Sequence, residues 1–140
     1  MGFRIQNRLF TAGVVVMLLG AFGFGARKMQ RLSHGTWGGQ HIQFQVNDGS
    51  VAIEYDCAHG SITGPLTIDQ QGRFSWHGVY TRERGGPIRL HDQDNSQPAI
   101  YSGRIKDDTM TLTLRLENSS DPVQTFNLRR GSAGRVFKCK

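Results

Sequence analysis

The 140-residue chain has little of what marks several protein classes. Its 18 glycines follow no three-residue period, and no heptad pattern runs along it, which excludes a collagen-like chain and a coiled coil. It has one long apolar run, so a membrane protein with several spans is also excluded. Aromatic and β-branched residues recur at strand-like spacing, which is not the composition of a disordered chain.

Acidic residues are missing from both ends of the chain. Between His34 and Leu128 there are seven basic residues and all eleven acids, a net charge of −4, although the sequence pI is about 9.9. The body is therefore mildly acidic and the C-terminal tail is basic. Because no basic stripe alternates with stacking aromatics, we expect no nucleic-acid partner.

The apolar run from Leu9 to Ala26 contains no charged residue and follows Arg4 and Arg8. This layout is typical of a secretory signal peptide, so we expect a periplasmic or secreted protein. An uncleaved helical membrane anchor is the alternative, since about 18 apolar residues can just cross a bilayer. The predicted organisation is a signal peptide or anchor at 1–26, a polar linker at 27–34 and one domain at 35–140, with membrane contact only through the N-terminal segment.

Cysteine is scarce, with only Cys57 and Cys139 in the chain. In an exported protein two such residues predict a disulfide, because export leads to an oxidising compartment. The alternative is a pair of buried free thiols. A disulfide would tie the C-terminal segment to the second predicted strand.

Alternating apolar and polar residues predict an all-β domain with no helix after the leader. The two clearest hairpins turn at Asn47-Asp48-Gly49 and Lys106-Asp107-Asp108, and Arg135 to Cys139 is expected as the last strand. About eight short strands favour a single closed antiparallel barrel, with a two-sheet β-sandwich as the alternative. The side chains expected inside are Phe44, Tyr55, Trp76, Tyr80, Tyr101, Met110, Leu112 and Leu114. They either fill the barrel or leave room for a small ligand.

Gly35-Thr36-Trp37 resembles the opening of the calycins, the lipocalin and avidin-like barrels, in which a Trp closes one barrel end. The resemblance implies a calycin-like barrel in which Arg129, Arg130 or Arg135 packs on Trp37. The domain is also similar to a group of small exported bacterial proteins of unassigned function. That similarity implies export and fold, but no activity, and it is carried by Trp37-Gly38-Gly39, His41-Ile42, Asp56 to Gly60, Gly85-Gly86-Pro87 and Phe137-Lys138-Cys139.

Polar residues that suit ligand binding collect at strand ends. Asp56 and His59 flank Cys57, and His41 and His77 lie on the polar faces of other predicted strands. The long polar segment from Arg82 to Gln97, with His91 near its middle, is typical of a functional loop. The predicted ligand-binding residues are Trp37, His41, Asp56, His59, His77, Arg82 and His91.

Motifs for catalysis are missing. There is no Gly-x-Ser-x-Gly elbow and no His-x-x-x-His or close Cys pair, so no catalytic residue, metal ligand or cofactor is assigned. We expect a non-catalytic exported barrel that binds a small molecule or an envelope protein through its mouth and the 82–97 loop. The alternative is a metal-binding protein or metal-assisted hydrolase centred on His59 and Asp56.

Overall fold

The computed structural model describes residues 25, 28–87, 95–120 and 124–140, and the regular structure in these ranges is entirely β-strand. The predicted N-terminal helix falls outside the described residues. No helix in the described part of the chain is long and apolar enough to span a membrane. The strands are β1 Gln30–Arg31, β2 Gly35–Gly39, β3 Ile42–Asn47, β4 Ser50–Tyr55, β5 Ala58–Thr63, β6 Thr67–Ile68, β7 Arg73–Arg82, β8 Ser96–Lys106, β9 Thr109–Leu116 and β10 Gln124–Arg130.

Eight of these strands form a closed antiparallel barrel in the order β10-β2-β3-β4-β5-β7-β8-β9. The barrel closes where β10 pairs with β2, with Arg129 opposite Gly38 and Arg130 opposite Trp37. The predicted eight-stranded barrel is thus confirmed, and closure excludes the two-sheet sandwich. Each of the eight strands therefore pairs with a neighbouring strand on both sides, so none of them is an edge strand.

The first and last strands of the barrel wall differ from those predicted. Residues 135–139 are not a strand of the wall, and β2, at Gly35–Gly39, takes that place. Residues 131–140, here called the C-terminal strap, run outside the barrel with one parallel bridge between Gln40 and Arg135. Glycine explains this path, because a Cβ atom on Gly38 would lie 2.2 Å from the Gly134 nitrogen. The strap therefore packs directly on the backbone of β2.

The barrel interior is filled by its own side chains. Tyr101 is fully buried, and it occupies space that glycines leave on two neighbouring strands: a Cβ on Gly60 would lie 2.3 Å from the Tyr101 hydroxyl, and one on Gly78 would lie 2.8 Å from its ring. Alternation of large and small inward residues is how a small barrel reaches close packing. The inward residues predicted from sequence are all buried except Tyr80, which is partly buried against the same core.

The barrel end where β2 begins, here called the entry end, is covered. Strand β1 lies in the stretch expected to be a linker, and it pairs with β6. Next to this pair, the Leu32 N–H donates to the Leu66 carbonyl at 2.8 Å. Trp37 is 1% exposed, and the Arg130 guanidinium carbon lies 4.5 Å from the centroid of its ring. This is the predicted cation–π contact, made by Arg130.

Candidate binding surface at the barrel mouth

The opposite end of the barrel, here called the mouth, is bordered by two tight turns, by residues 83–87 and by the end of the strap. The turns are Gln40-His41, between β2 and β3, and Asp56-Cys57, between β4 and β5. Strand β7 extends through Arg82 and β8 begins at Ser96, so the connection is shorter than the predicted 82–97 loop. Residues 88–94, which include His91, lie outside the described residues.

A disulfide between Cys57 and Cys139 fixes the strap to the mouth, as predicted, with 4.9 Å between the two Cα atoms. The alternative of free thiols is excluded. Cys57 has a φ of 53°, which the tight turn requires, and its carbonyl accepts a 2.8 Å hydrogen bond from the Glu83 N–H. The bridge therefore joins the strap, the β4–β5 turn and the segment after β7. Such a bridge fits an oxidising compartment.

Asp56 contacts the strap with one carboxylate oxygen and the β2–β3 turn with the other. Oδ1 accepts a 2.7 Å hydrogen bond from the Phe137 N–H, and Oδ2 lies 2.5 Å from Nδ1 of His41. The backbone hydrogen bond from Phe137 is the largest cause that lowers the pKa of Asp56, and His41 lowers it further. Asp56 is therefore ionised at neutral pH and bridges two turns to the strap.

A second set of charges is arranged around Lys138. Its Nζ atom donates to the Ala58 carbonyl and to Oε1 of Glu83, both at 3.0 Å, and it also pairs with Glu54. Oε1 of Glu83 in turn lies 2.9 Å from Nδ1 of His59. Partial burial opposes ionisation of Glu83, but the hydrogen bonds from Lys138 and His59 outweigh it and lower the pKa of Glu83. Burial likewise acts to lower the pKa of Lys138, and hydrogen bonds to Glu54 and Glu83 outweigh it and raise that pKa.

The predicted ligand-binding residues thus fall into separate places. Asp56 lies against His41 and His59 lies against Glu83, so these two predicted residues have different partners. His77 belongs to a third pair, 2.7 Å from Glu117. Within the described residues, no three His, Cys, Asp or Glu side chains are grouped closely enough to hold a metal ion. Trp37 lies inside the barrel next to Arg130, and the exposed Arg82 ends β7, opposite Ala58 in the register.

Sequence reasoning missed the charged residues that attach the strap around Lys138. Lys138, Glu83 and Glu54 are far from one another in the sequence, and none of them belongs to a recognisable sequence motif. The disulfide was the available signal, because joining residue 139 to residue 57 necessarily brings residue 138 close to the β4–β5 hairpin. Phe137 was noted only as part of a short resemblance.

Phe137 is a large apolar residue at this end, and 66% of its surface is exposed. The Phe137 N–H is bound to Asp56, the next residue, Lys138, forms ion pairs, and the Phe137 ring lies 6.4 Å from the His41 ring between centroids. The mouth thus presents a positioned aromatic side chain within a charged rim. Comparison of the chain with protein-family models, with curated proteins and with solved structures finds no match, so the site is interpreted from its own geometry.

Proposed function

We propose that this chain is an exported, non-catalytic binding protein that holds another protein of the cell envelope at its mouth. The observation that carries the proposal is the exposed Phe137 on a strap fixed by a disulfide, a backbone hydrogen bond and ion pairs. Aromatic side chains surrounded by polar groups dominate the binding energy of many protein interfaces. Because the strap is ordered before binding, little conformational entropy is lost on association.

The filled interior favours a protein partner over a small molecule. The glycines that face Tyr101 and Phe74 leave no room for even one added methyl group. A small ligand would need an apolar pocket that buries most of its surface. Contact through the outer rim of the mouth requires no such pocket.

The ionised state of the mouth carboxylates supports binding rather than catalysis. Asp56 and Glu83 have lowered pKa values and already accept hydrogen bonds that attach the strap. A general acid or base at neutral pH needs a pKa near that pH and access to substrate. These two carboxylates therefore stabilise the attachment of the strap to the barrel. Export itself rests on the leader sequence and on the disulfide.

A photoreactive benzoylphenylalanine at position 137, in the full chain expressed in its own host, tests the proposal. We expect light to produce one adduct of defined protein mass, recovered from the envelope fraction and lost when an excess of unmodified chain is present. The same probe at Val79, which is 38% exposed on the barrel wall, is the matched control and is expected to give no such adduct. Equal adducts at both positions, or a small molecule retained in native mass spectrometry with no protein adduct, would contradict the proposal.

A further inference from the structure

The barrel wall is electrically asymmetric. The outward positions of β8, β9 and β10 carry four basic residues and no acid. These positions are Ser96, Pro98, Ile100, Ser102, Arg104, Lys106, Thr109, Thr111, Thr113, Arg115, Thr125, Asn127 and Arg129. The outward positions of β3, β4 and β5 carry no Lys or Arg and one acid, Glu54. On many protein surfaces basic and acidic residues are interspersed, whereas a region that carries only basic residues attracts anions.

Three of these basic residues gather near the entry end. The register places Lys106 and Arg129 on either side of Thr109, so their Cα atoms are two strand spacings apart, about 10 Å. Both side chains are exposed, and neither makes an ion pair within the described residues. Arg104 lies one row away on β8. The three can therefore reach a common anion from one side.

Arg73 on β7 enlarges this group, and its position is costly. It lies directly opposite Arg104 in the register, an arrangement of like charges that destabilises a sheet. The turn before β7 holds both guanidinium groups: Arg104 Nε donates to the Gln71 carbonyl at 3.1 Å, and Arg73 donates to Gln71 Oε1 at 2.6 Å. The basic patch is defined here as Arg73, Arg104, Lys106 and Arg129.

Carboxylates near the patch offset part of its charge. Asp69 lies 3.4 Å from Arg73, Asp108 lies 3.3 Å from Arg130, and Asp48 pairs with His34. Asp107 lies in the turn beside Lys106. Lys106 and Arg129 still lack a carboxylate partner among the described residues, and Lys28 and Arg31 add positive charge where the chain approaches β2.

The end at which the chain enters the barrel indicates which kind of partner the basic patch binds. Strand β2 begins at the entry end, the same end at which β7 begins and β8 and β10 finish. Strand β1, which precedes β2, pairs with β6, and β6 lies shortly before Arg73 in the chain. In the sequence, the uncharged segment from Leu9 to Ala26 is separated from β2 by only the stretch 27–34. In a chain that retains this segment, its composition favours insertion into a bilayer, and the sequence that leads into β2 is then held near the lipid head groups.

We propose that the basic patch binds the anionic phosphate head groups of a lipid bilayer, so that the barrel stands on the membrane with its mouth directed away. This adds a second membrane contact to the one expected of the N-terminal segment. It is independent of the proposed partner at the mouth, because the two surfaces lie at opposite ends of the barrel. Each basic residue near an anionic bilayer contributes roughly a fivefold increase in affinity at moderate ionic strength.

Vesicle co-sedimentation of the full chain tests the proposal, with vesicles of phosphatidylcholine alone and with added phosphatidylglycerol. We expect phosphatidylglycerol to strengthen binding, and the Arg104→Gln/Lys106→Gln variant to lose roughly 25-fold of that increment. High salt should remove the increment, since it screens exposed charges. The apolar leader is common to every variant, so affinities are compared at lipid concentrations at which phosphatidylcholine vesicles bind less than half of the chain, where the contribution of the leader cancels.

The matched control is Arg115→Gln/Arg135→Gln, which removes the same charge from exposed positions near the mouth. We expect it to retain the phosphatidylglycerol increment, and circular dichroism checks that both variants keep the barrel. Equal loss in both variants would show that only net charge matters and would overturn the proposal. Binding to phosphatidylcholine as strong as to the mixed vesicles would overturn it, as would a patch-dependent affinity for an acidic peptide but not for vesicles.

Discussion

Two buried tyrosines show how single atoms affect the stability of this barrel. Tyr101 donates its hydroxyl to the Val79 carbonyl at 2.7 Å. The buried Tyr55 hydroxyl lies beside that of Tyr101 but makes no hydrogen bond of normal geometry within the described residues. Burial raises the pKa of both phenols, so both are neutral across the physiological range. A buried hydroxyl without a partner costs free energy, and a paired one does not.

We therefore expect Tyr55→Phe and Tyr101→Phe to shift stability in opposite directions. Removing the unpaired hydroxyl of Tyr55 should raise the free energy of unfolding by up to about 1 kcal/mol, and removing that of Tyr101 should lower it by about 1 kcal/mol. Urea denaturation monitored by fluorescence measures both. A loss in Tyr55→Phe equal to that in Tyr101→Phe would show that the Tyr55 hydroxyl is satisfied.

The glycines facing Tyr101 lead to a second prediction at the scale of the residue. The Cβ of Gly60→Ala would lie 2.3 Å from the Tyr101 hydroxyl and 3.0 Å from the Val79 carbonyl oxygen, the two atoms that hydrogen-bond to each other. We expect this variant to lose about 1–3 kcal/mol, the usual cost of overpacking a dense core. Ser61→Ala, on the outward face of the same strand, is the control and should change stability little. A neutral effect of Gly60→Ala would contradict the filled interior.

At the scale of the element, the strap is attached by ionised groups, so its attachment depends on pH. The pKa values of Asp56 and Glu83 are lowered from ordinary values of 3.8 and 4.5. For a lowered pKa, the stabilisation is complete above the ordinary value and is lost as pH falls through the folded value. Lys138 has a raised pKa, so its contribution is present below 10.5 and is lost at higher pH.

We expect the strap to loosen below about pH 4, before the barrel unfolds. Hydrogen exchange, expressed as protection relative to the free peptide, should show the Phe137 N–H losing protection in that range, while the Leu112 N–H in β9 keeps it. Asp56→Ala should lose the Phe137 protection already at neutral pH, and Asp48→Ala, at the other barrel end, should not. Protection of Phe137 that does not depend on pH would mean that Asp56 does not hold the strap.

At the scale of the whole molecule, the disulfide and the closure of the barrel are separate devices. Closure is made by β10 and β2, whereas the bridge joins the β4–β5 turn to a strap outside the wall. A bridge that spans 82 positions stabilises mainly by limiting the unfolded chain. Its removal should therefore weaken the fold without opening the barrel.

The Cys57→Ser/Cys139→Ser variant is expected to lose about 2–4 kcal/mol of unfolding free energy and to keep its β-type circular dichroism at room temperature. The Asp56→Ala variant, with the bridge intact, separates loss of the bridge from loss of strap contacts. A double-serine variant without β-structure would show that the barrel needs the bridge to close.

The sequence by itself determined the class of fold, the approximate number of barrel strands and the disulfide. Period-two alternation in β3, β4, β8 and β9 leaves one apolar face on each strand, and burying those faces together without open edges leads to a barrel. The same local patterns could not identify the last strand. Gly35–Gly39 has few side chains to alternate, and residues 135–139 alternate without entering the wall.

Only the tertiary structure decided which charged groups meet. Asp56 and His59 are three positions apart, yet they pair with His41 and Glu83, because a turn intervenes and the strap arrives between them. The basic patch likewise depends on register, since Arg73, Lys106 and Arg129 become neighbours only when their strands are side by side. Alternation is a property of adjacent residues, whereas ion pairs and charged surfaces depend on chain closure, which local sequence does not encode.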